Sequence, residues 1–357
     1  MMWLKETVTG FLIGIANIIP GVSGGTFLLV FGLYGRVMQA LNHINPASIR
    51  EGLGHAVSVT RASDKKSALR VAKDFLIKMD LLFLGRLALG ALLAILIMSG
   101  LMKMLLNDFF SYTFAFFFGL ILVSIIIPWR HIKQKRPSCL LFILIGAALT
   151  VYVAAAVNPV DKTLAKSQRY KTQTEALSTQ DGSMGKTEIT RYSTADYAVI
   201  GIAGAVAISA MVLPGISGSL VLILMGQYYE VISAISSLKQ PHIEPLLFLS
   251  IFGIGMIVGL FLFARLITWV LARFHDQTMA FLLGLLAGSL YALWPFKQAV
   301  VTDLWIKSGQ GIQLVEDAVV YSNINILPDS TVAAITAILC AGAGAIIMLF
   351  FARKEGA

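Results

Sequence analysis

The chain has 357 residues, of which 57% are apolar and 13% charged, with a net charge of +9 and a mean hydropathy of +0.80. A soluble domain carries about a quarter charged residues, so this composition excludes a soluble globular fold and points to an integral membrane protein. The positive balance does not signal a nucleic-acid partner, because the basic residues gather in short loops between apolar runs, as the positive-inside bias of membrane proteins dictates.

The first apolar run, Val8 to Ile19, follows Lys5 and has the look of a signal peptide. No small-residue cleavage pattern follows it, and the next residues open a motif that returns later, so the run is expected to be retained. Residues 7–41 read as two apolar legs interrupted at Pro20-Gly21-Val22-Ser23-Gly24-Gly25-Thr26, because Pro followed by Gly stops a helix. A basic loop, 42–80, then leads to three apolar helices at 81–106, 110–129 and 138–157, long enough to cross a bilayer. The stretch 158–194, rich in Ser, Thr, Gln and Lys, reads as a mobile polar external linker. Beyond it come a second broken segment, 195–236, carrying Pro214-Gly215-Ile216-Ser217-Gly218-Ser219, and helices at 246–272, 277–295 and 331–352.

The two broken segments are copies. Pro20 and Pro214 lie 194 residues apart, and the match continues at that offset through Gly32/Gly226, Tyr34/Tyr228, Val37/Val231 and Ala40/Ala234. At an offset of 165, Leu81-Leu82-Phe83-Leu84 matches Leu246-Leu247-Phe248-Leu249, and Thr113, Gly119, Ser124 and Trp129 match Thr278, Gly284, Ser289 and Trp294. The chain is therefore expected to be an all-α polytopic membrane protein built as two repeat halves, 1–157 and 195–357.

Charge sets the expected orientation. Arg130, Lys133, Lys135 and Arg136 place the loop 130–137 on the cytoplasmic side, and counting helices puts the basic loop 42–80 and both termini there too. The loop 296–330, with Asp303, Glu316, Asp317 and Asp329, falls outside. Parity then has 195–236, and 7–41 given a cytoplasmic N-terminus, enter and leave by one face as re-entrant hairpins; a single kinked spanning helix with a surface extension is the second reading, and it breaks the charge pattern in at least one loop. With three full crossings per half, the halves are inverted relative to one another.

Irregular backbone at membrane depth survives only against protein or a watery cavity. At each tip the chain restarts as a helix, near Ser23 and Ser217, presenting free N–H groups and the positive end of a helix dipole. Gly24, Gly25 and Gly218 allow close approach to the backbone, and Ser23, Thr26, Ser217 and Ser219 add hydroxyls. That combination suits phosphate or carboxylate. Pro20, Gly21, Pro214 and Gly215 shape the breaks, and Asn17 offers an amide only in the first half. Arg86 and Arg265 are candidate countercharges, although both lie toward the cytoplasmic ends of their helices, where snorkelling is the bland alternative. Arg36 and Glu230 share a repeat position and read as ordinary charge asymmetry.

No metal or cofactor is expected. Cys139 and Cys340 sit in apolar segments without CxxC spacing, and His43, His55, His131, His242 and His275 lie in or beside loops.

The paired Pro-Gly-x-Ser-Gly motifs, each followed by Gly-x-Tyr (Gly32-Leu33-Tyr34 and Gly226-Gln227-Tyr228), resemble the DUF368 family over essentially the whole chain. The family includes undecaprenyl phosphate translocases of the bacterial plasma membrane, which return the lipid carrier of cell-wall synthesis to the cytoplasmic leaflet. The resemblance implies a polyprenyl phosphate substrate held at Ser23-Gly24-Gly25-Thr26 and Ser217-Gly218-Ser219, and moved by alternating access. Coupling to a proton or sodium gradient is left open, since no intramembrane carboxylate stands out as its carrier. Two rivals remain at this point. A small organic anion would fit the same tips. An undecaprenyl pyrophosphate phosphatase-like enzyme has a similar Pro-Gly-x-Ser motif followed by arginine, but Gly24 and Gly218 occupy that place here, and Glu6 stands alone near the first motif.

Overall fold

In a computed structural model the chain is described over residues 2–18, 23–44, 47–48, 50–52, 54, 65–156, 158–179, 194–218, 221–222, 225, 227, 231, 234, 243–308 and 311–355. The first broken segment comprises α1 (Met2–Ile18), α2 (Gly24–Val30) and α3 (Tyr34–His43). There follow α4 (Lys65–Lys78), α5 (Leu81–Asp108), α6 (Phe110–Ser124), α7 (Ile126–His131) and α8 (Pro137–Ala156). After α9 (Pro159–Thr179) come α10 (Thr194–Val212), α11 (Ile243–Arg273), α12 (His275–Ala292), β1 (Lys297–Ser308), β2 (Gly311–Asn325) and α13 (Thr331–Glu355).

Among the described residues, six helical stretches are long and apolar enough to cross a membrane: Leu81–Met98, Phe110–His131, Pro137–Ala156, Ala195–Val212, Pro245–Arg273 and Thr331–Arg353. Their outward faces carry large apolar side chains such as Leu96, Ile97, Leu144, Ile254, Leu262 and Ile338, a surface that only lipid would cover without penalty. Five of the six coincide with expected crossings. The helix expected over 277–295, here α12, is not among them, because His275, Asp276 and Gln277 at its start dilute its apolarity. It is instead the innermost helix: Ala280, Leu282, Leu285 and Leu286 are fully buried.

Helices α6 and α7 together cover the expected span 110–129 but break at Ile125. Pro128 explains the break, because it has no N–H to donate and its ring crowds the carbonyl four residues back, that of Ser124. At the neighbouring turn, Asp276 accepts hydrogen bonds from the backbone N–H groups of Lys133 (2.9 Å) and Gln134 (3.0 Å), which fastens the basic loop 132–136 to the start of α12. Those bonds hold the Asp276 carboxyl below the usual carboxylate range.

The helices associate in pairs that repeat the sequence duplication. α1 lies against α5 and α10 against α11; α6 lies against α13 and α12 against α8. The crossings coincide nearly atom for atom. A β-carbon on Gly119 would fall 1.9 Å from the Ala341 carbonyl oxygen, and one on the matching Gly284 would fall 2.2 Å from that of Ile143. Small residues at such crossings let backbones touch, which is how helices associate in lipid without a hydrophobic driving force. α1 and α5 run parallel, since Gly10 faces Leu87 while Gly14 faces Ala91 and Ala94; α10 and α11 do likewise, with Gly201 facing Gly255 and Ala205 facing Gly259.

The chain is mostly helical, consistent with the expected all-α polytopic membrane protein, and it adds an element that was not expected: β1 and β2 form an antiparallel ribbon, with Val300 opposite Val320 and Trp305 opposite Leu314. The β-branched residues of 297–325 and their partial period-two alternation carried that signal, and reading the span only as a loop poor in basic residues passed over it. The stretch 158–194, expected as a mobile linker, contains α9 over 159–179, while 180–193 lie outside the described residues. The start of α9 follows from Asn158, whose Oδ1 accepts the Val160 N–H at 3.1 Å, with Pro159 in the first turn, where a missing N–H costs nothing. Although polar, α9 has a surface to rest on: the Ser167 Oγ accepts the N–H of Trp305 on β1 at 2.8 Å.

Candidate functional site

The first tip is built around Ser23, the N-cap of α2, whose extended backbone (φ −110°, ψ 137°) turns its hydroxyl back over the new helix. Its Oγ accepts the Gly25 N–H at 3.2 Å and faces two carbonyl oxygens of the other half, Met211 and Leu213, each at 2.9 Å. The single hydroxyl proton serves one of these at a time. Asn17, at the end of α1, reaches across the break, and its Oδ1 accepts the Gly24 N–H at 2.9 Å. Thr26, almost fully buried, accepts the Gly215 N–H from the second tip through Oγ1 at 3.1 Å.

The two motifs, 194 residues apart in sequence, therefore meet and interlock. Gly215 has φ +83°, a conformation that favours glycine, and a β-carbon there would lie 2.5 Å from the Leu285 carbonyl oxygen of the central helix α12. A β-carbon on Gly25 would lie 2.1 Å from the Val212 carbonyl oxygen. What approaches Gly25 in this arrangement is the backbone of the opposing tip, whereas Gly215 is approached by α12 and Gly24 by the Asn17 side chain of its own half. Ser217 is not without a partner, and Gly218 is buried against α10. Pro20, Gly21 and Ser219 lie outside the described residues, as does Glu230, whereas Pro214 is buried at the second break.

The register of α11 on α10, with Gly259 against Ala205, sets Arg265 near the level of Met211 beside the second tip, where it is exposed. Arg86 joins a cluster at the starting ends of α1 and α5, where Glu6 accepts from Arg86 Nη1 at 2.8 Å and from Arg36 Nη1 at 3.3 Å. Arg36 forks onto Asp80 through Nε (2.8 Å) and Nη2 (2.7 Å), and its guanidinium lies 3.8 Å over the Phe83 ring. The bond from Arg36 holds the Asp80 carboxyl below the usual range. Glu6 thus bridges two guanidiniums, and Arg36 is more than a surface asymmetry. Charges within apolar runs are the sequence signal for such a group. Partners 30 and 80 residues away could not be read from spacing.

Sequence reasoning also assigned no role to Tyr34. Its side chain is 2% exposed, and its hydroxyl is the single buried side-chain polar atom without a hydrogen-bond partner among the described residues. Leaving such a group unpaired costs about 1–3 kcal/mol, so its presence directly after the first tip calls for an explanation beyond packing.

Long apolar helices with lipid-like outer faces, together with two chain breaks that meet at Thr26 and Gly215, define a polytopic α-helical membrane protein. Residues 13–312 match the family model described as VCA0040-like, undecaprenyl phosphate translocase-like, and the chain belongs to that family, the one its motifs resemble. A polyprenyl-phosphate transporter of Vibrio cholerae serotype O1 is 30% identical over 314 residues, covering 88% of this chain and 84% of that protein. A polyprenyl-phosphate transporter of Staphylococcus aureus is 28% identical over 295 residues, covering 82% and 86% respectively. No solved structure matches.

Proposed function

We propose that the protein translocates polyprenyl phosphate, in the form of undecaprenyl phosphate, across the bacterial plasma membrane, and that it is a transporter rather than an enzyme. The interlocked tips carry this reading. Gly24, Gly25 and Gly215 each donate a backbone N–H to a side-chain oxygen, from Asn17, Ser23 and Thr26 respectively. Those oxygens hold positions that a phosphate oxygen takes when the side chains rotate away. An N–H bond to a charged oxyanion is roughly twice as strong as one to a neutral oxygen, so the exchange favours the ligand. The long tail stays in lipid, against the apolar outer faces of the crossings.

Alternating access follows from an inverted arrangement of the halves. The return of Arg36 to Glu6 supports reading 7–41 as a hairpin open at one face. From Glu6 to Ile18 the helix climbs about 18 Å at 1.5 Å per residue, which brings the tip near the middle of a hydrocarbon core about 30 Å thick. The loop bound by Asp276 and the start of α5 belong to one face if α5 and α6–α7 each cross once; α10, parallel to α11, then starts from the other. Positive charge puts the loop 132–136, and with it both termini, in the cytoplasm.

A pyrophosphatase-like activity lacks its clamp, since Gly24 and Gly218 stand where the related motif has arginine. The deciding experiment follows labelled undecaprenyl phosphate in proteoliposomes, with undecaprenyl pyrophosphate and a soluble organic phosphate as controls. Movement of the monophosphate that is lost in Ser217→Ala, without release of inorganic phosphate, supports the reading; release of phosphate from the pyrophosphate contradicts it. Imposed proton and sodium gradients in the same vesicles identify the coupling ion.

A further inference from the structure

We propose that Arg36 and Arg86 form a second anion site, at the open end of the first hairpin, which takes a phosphate monoester in the place held here by the Glu6 carboxylate. The first observation is geometric. Glu6 bridges the two guanidiniums with one oxygen on each, 3.3 Å from Arg36 and 2.8 Å from Arg86, and is itself almost fully buried. Both guanidiniums remain reachable, with side chains 40% and 36% exposed. Arg36 is fixed in advance. Asp80 occupies its Nε and Nη2, Phe83 lies beneath its plane, and Nη1 is left pointing at the bridge. Asp80 holds a left-handed backbone (φ 56°) at the N-cap of α5, yet its side chain makes no cap bond and goes to Arg36 instead. Helix capping, the usual use of an aspartate there, is forgone to aim a guanidinium.

The second observation comes from the repeat. The α1–α5 contact recurs as α10–α11, and at the positions matching Glu6, Arg86 and Asp80 the second half has Ile200, Ile251 and Pro245. Ile200 is buried in that equivalent interface. The packing is thus satisfied by apolar side chains, and burying an ion network in its place gains little stability. The charges in the first half answer a need other than packing. A carboxylate shared by two guanidiniums has the form of a bridging oxyanion, and a phosphate monoester offers the same two contacts with greater charge. Because the second half has no equivalent, the site exists at one face alone and gives the two ends of the transport path different affinities for the headgroup.

The identity of the anion rests on the phosphate-lipid reading above; the existence of the site does not. The test uses the full-length protein in nanodiscs, titrated with geranyl phosphate, with geraniol as the uncharged control and inorganic phosphate as competitor. The double variant E6I/R86I writes the second half's residues into the first, leaves Arg36 paired with Asp80, and is expected to keep the wild-type melting temperature. Its geranyl phosphate binding should weaken about tenfold or more, while E6Q, which removes the internal competitor, should bind about threefold more tightly than wild type. Competition by inorganic phosphate assigns recognition to the headgroup itself, and lack of competition assigns it to a lipid-borne headgroup; either accords with the site. Unchanged binding in a folded E6I/R86I, or weaker binding in E6Q, overturns it. A wild-type protein that binds geranyl phosphate through these residues but moves no lipid would refute translocation and leave the site standing.

Discussion

Asn17, Ser23 and Thr26 each give an oxygen to a tip N–H group, and the tip glycines leave room for backbone to meet backbone. Replacing Gly25 by alanine forces a β-carbon into the Val212 carbonyl, and strain of that kind costs about 1–3 kcal/mol. Gly25→Ala should therefore lower the melting temperature measurably in detergent. Ser23→Ala should remove about 1 kcal/mol of cap stability and abolish lipid movement with insertion intact. Tyr34→Phe separates two roles. If the phenol is only buried, its removal relieves an unpaired group and raises stability by about 1 kcal/mol with transport unchanged; if it meets the ligand, transport falls while stability rises. We expect the second result, read by thermal unfolding and vesicle transport side by side. The two chain breaks were legible in sequence because Pro-Gly-x-Ser-Gly occurs twice. That Thr26 occupies the Gly215 donor was not, since that contact joins residues 189 apart.

The helix pairs and the ribbon mark how far periodicity carries. Apolar length placed five of the crossings, whereas which helices touch closely at the duplicated glycines emerged only from the structure. Gly119→Leu and Gly284→Leu, at matching crossings, should each destabilise the protein, and to a similar degree, measured as unfolding midpoints; a large effect at one and none at the other would contradict the equivalence of the pairs. The ribbon was missed because its apolar residues fell in a span judged by charge alone. At its foot, Lys297 donates to the Tyr291 carbonyl at 3.2 Å and to Asn325 Oδ1, and burial pushes its ammonium down from 10.5 to about 8. Between those two values the unfolded chain holds the proton and the folded one does not, so stability rises with pH through that window. Hydrogen exchange of the ribbon should slow from pH 8 to 10.5 once corrected for intrinsic rates, and Lys297→Met should remove the trend.

At the scale of the whole molecule, the two parallel pairs, α1 with α5 and α10 with α11, bring the ends of α1 and α10 together, and the tips that follow interlock. In the inverted arrangement proposed, the loop 42–80 and the termini share the cytoplasmic face, while α9 and the ribbon form a layer outside. Single-cysteine labelling from one side of the membrane should tag Lys65 to Lys78 positions and α9 positions from opposite faces; labelling of both from one face would remove the inverted topology. Repeat offsets and charged loops were enough to suggest that plan. They could not show that Glu6, Arg36, Asp80 and Arg86 converge, because that requires the hairpin to close. The most direct test of the account is undecaprenyl phosphate movement in proteoliposomes of the wild-type protein and Ser23→Ala. Movement of the monophosphate by the wild type, lost in the variant and without phosphate release, is the predicted result. Equal movement by both proteins would contradict the tip site, and hydrolysis without movement would contradict the transporter.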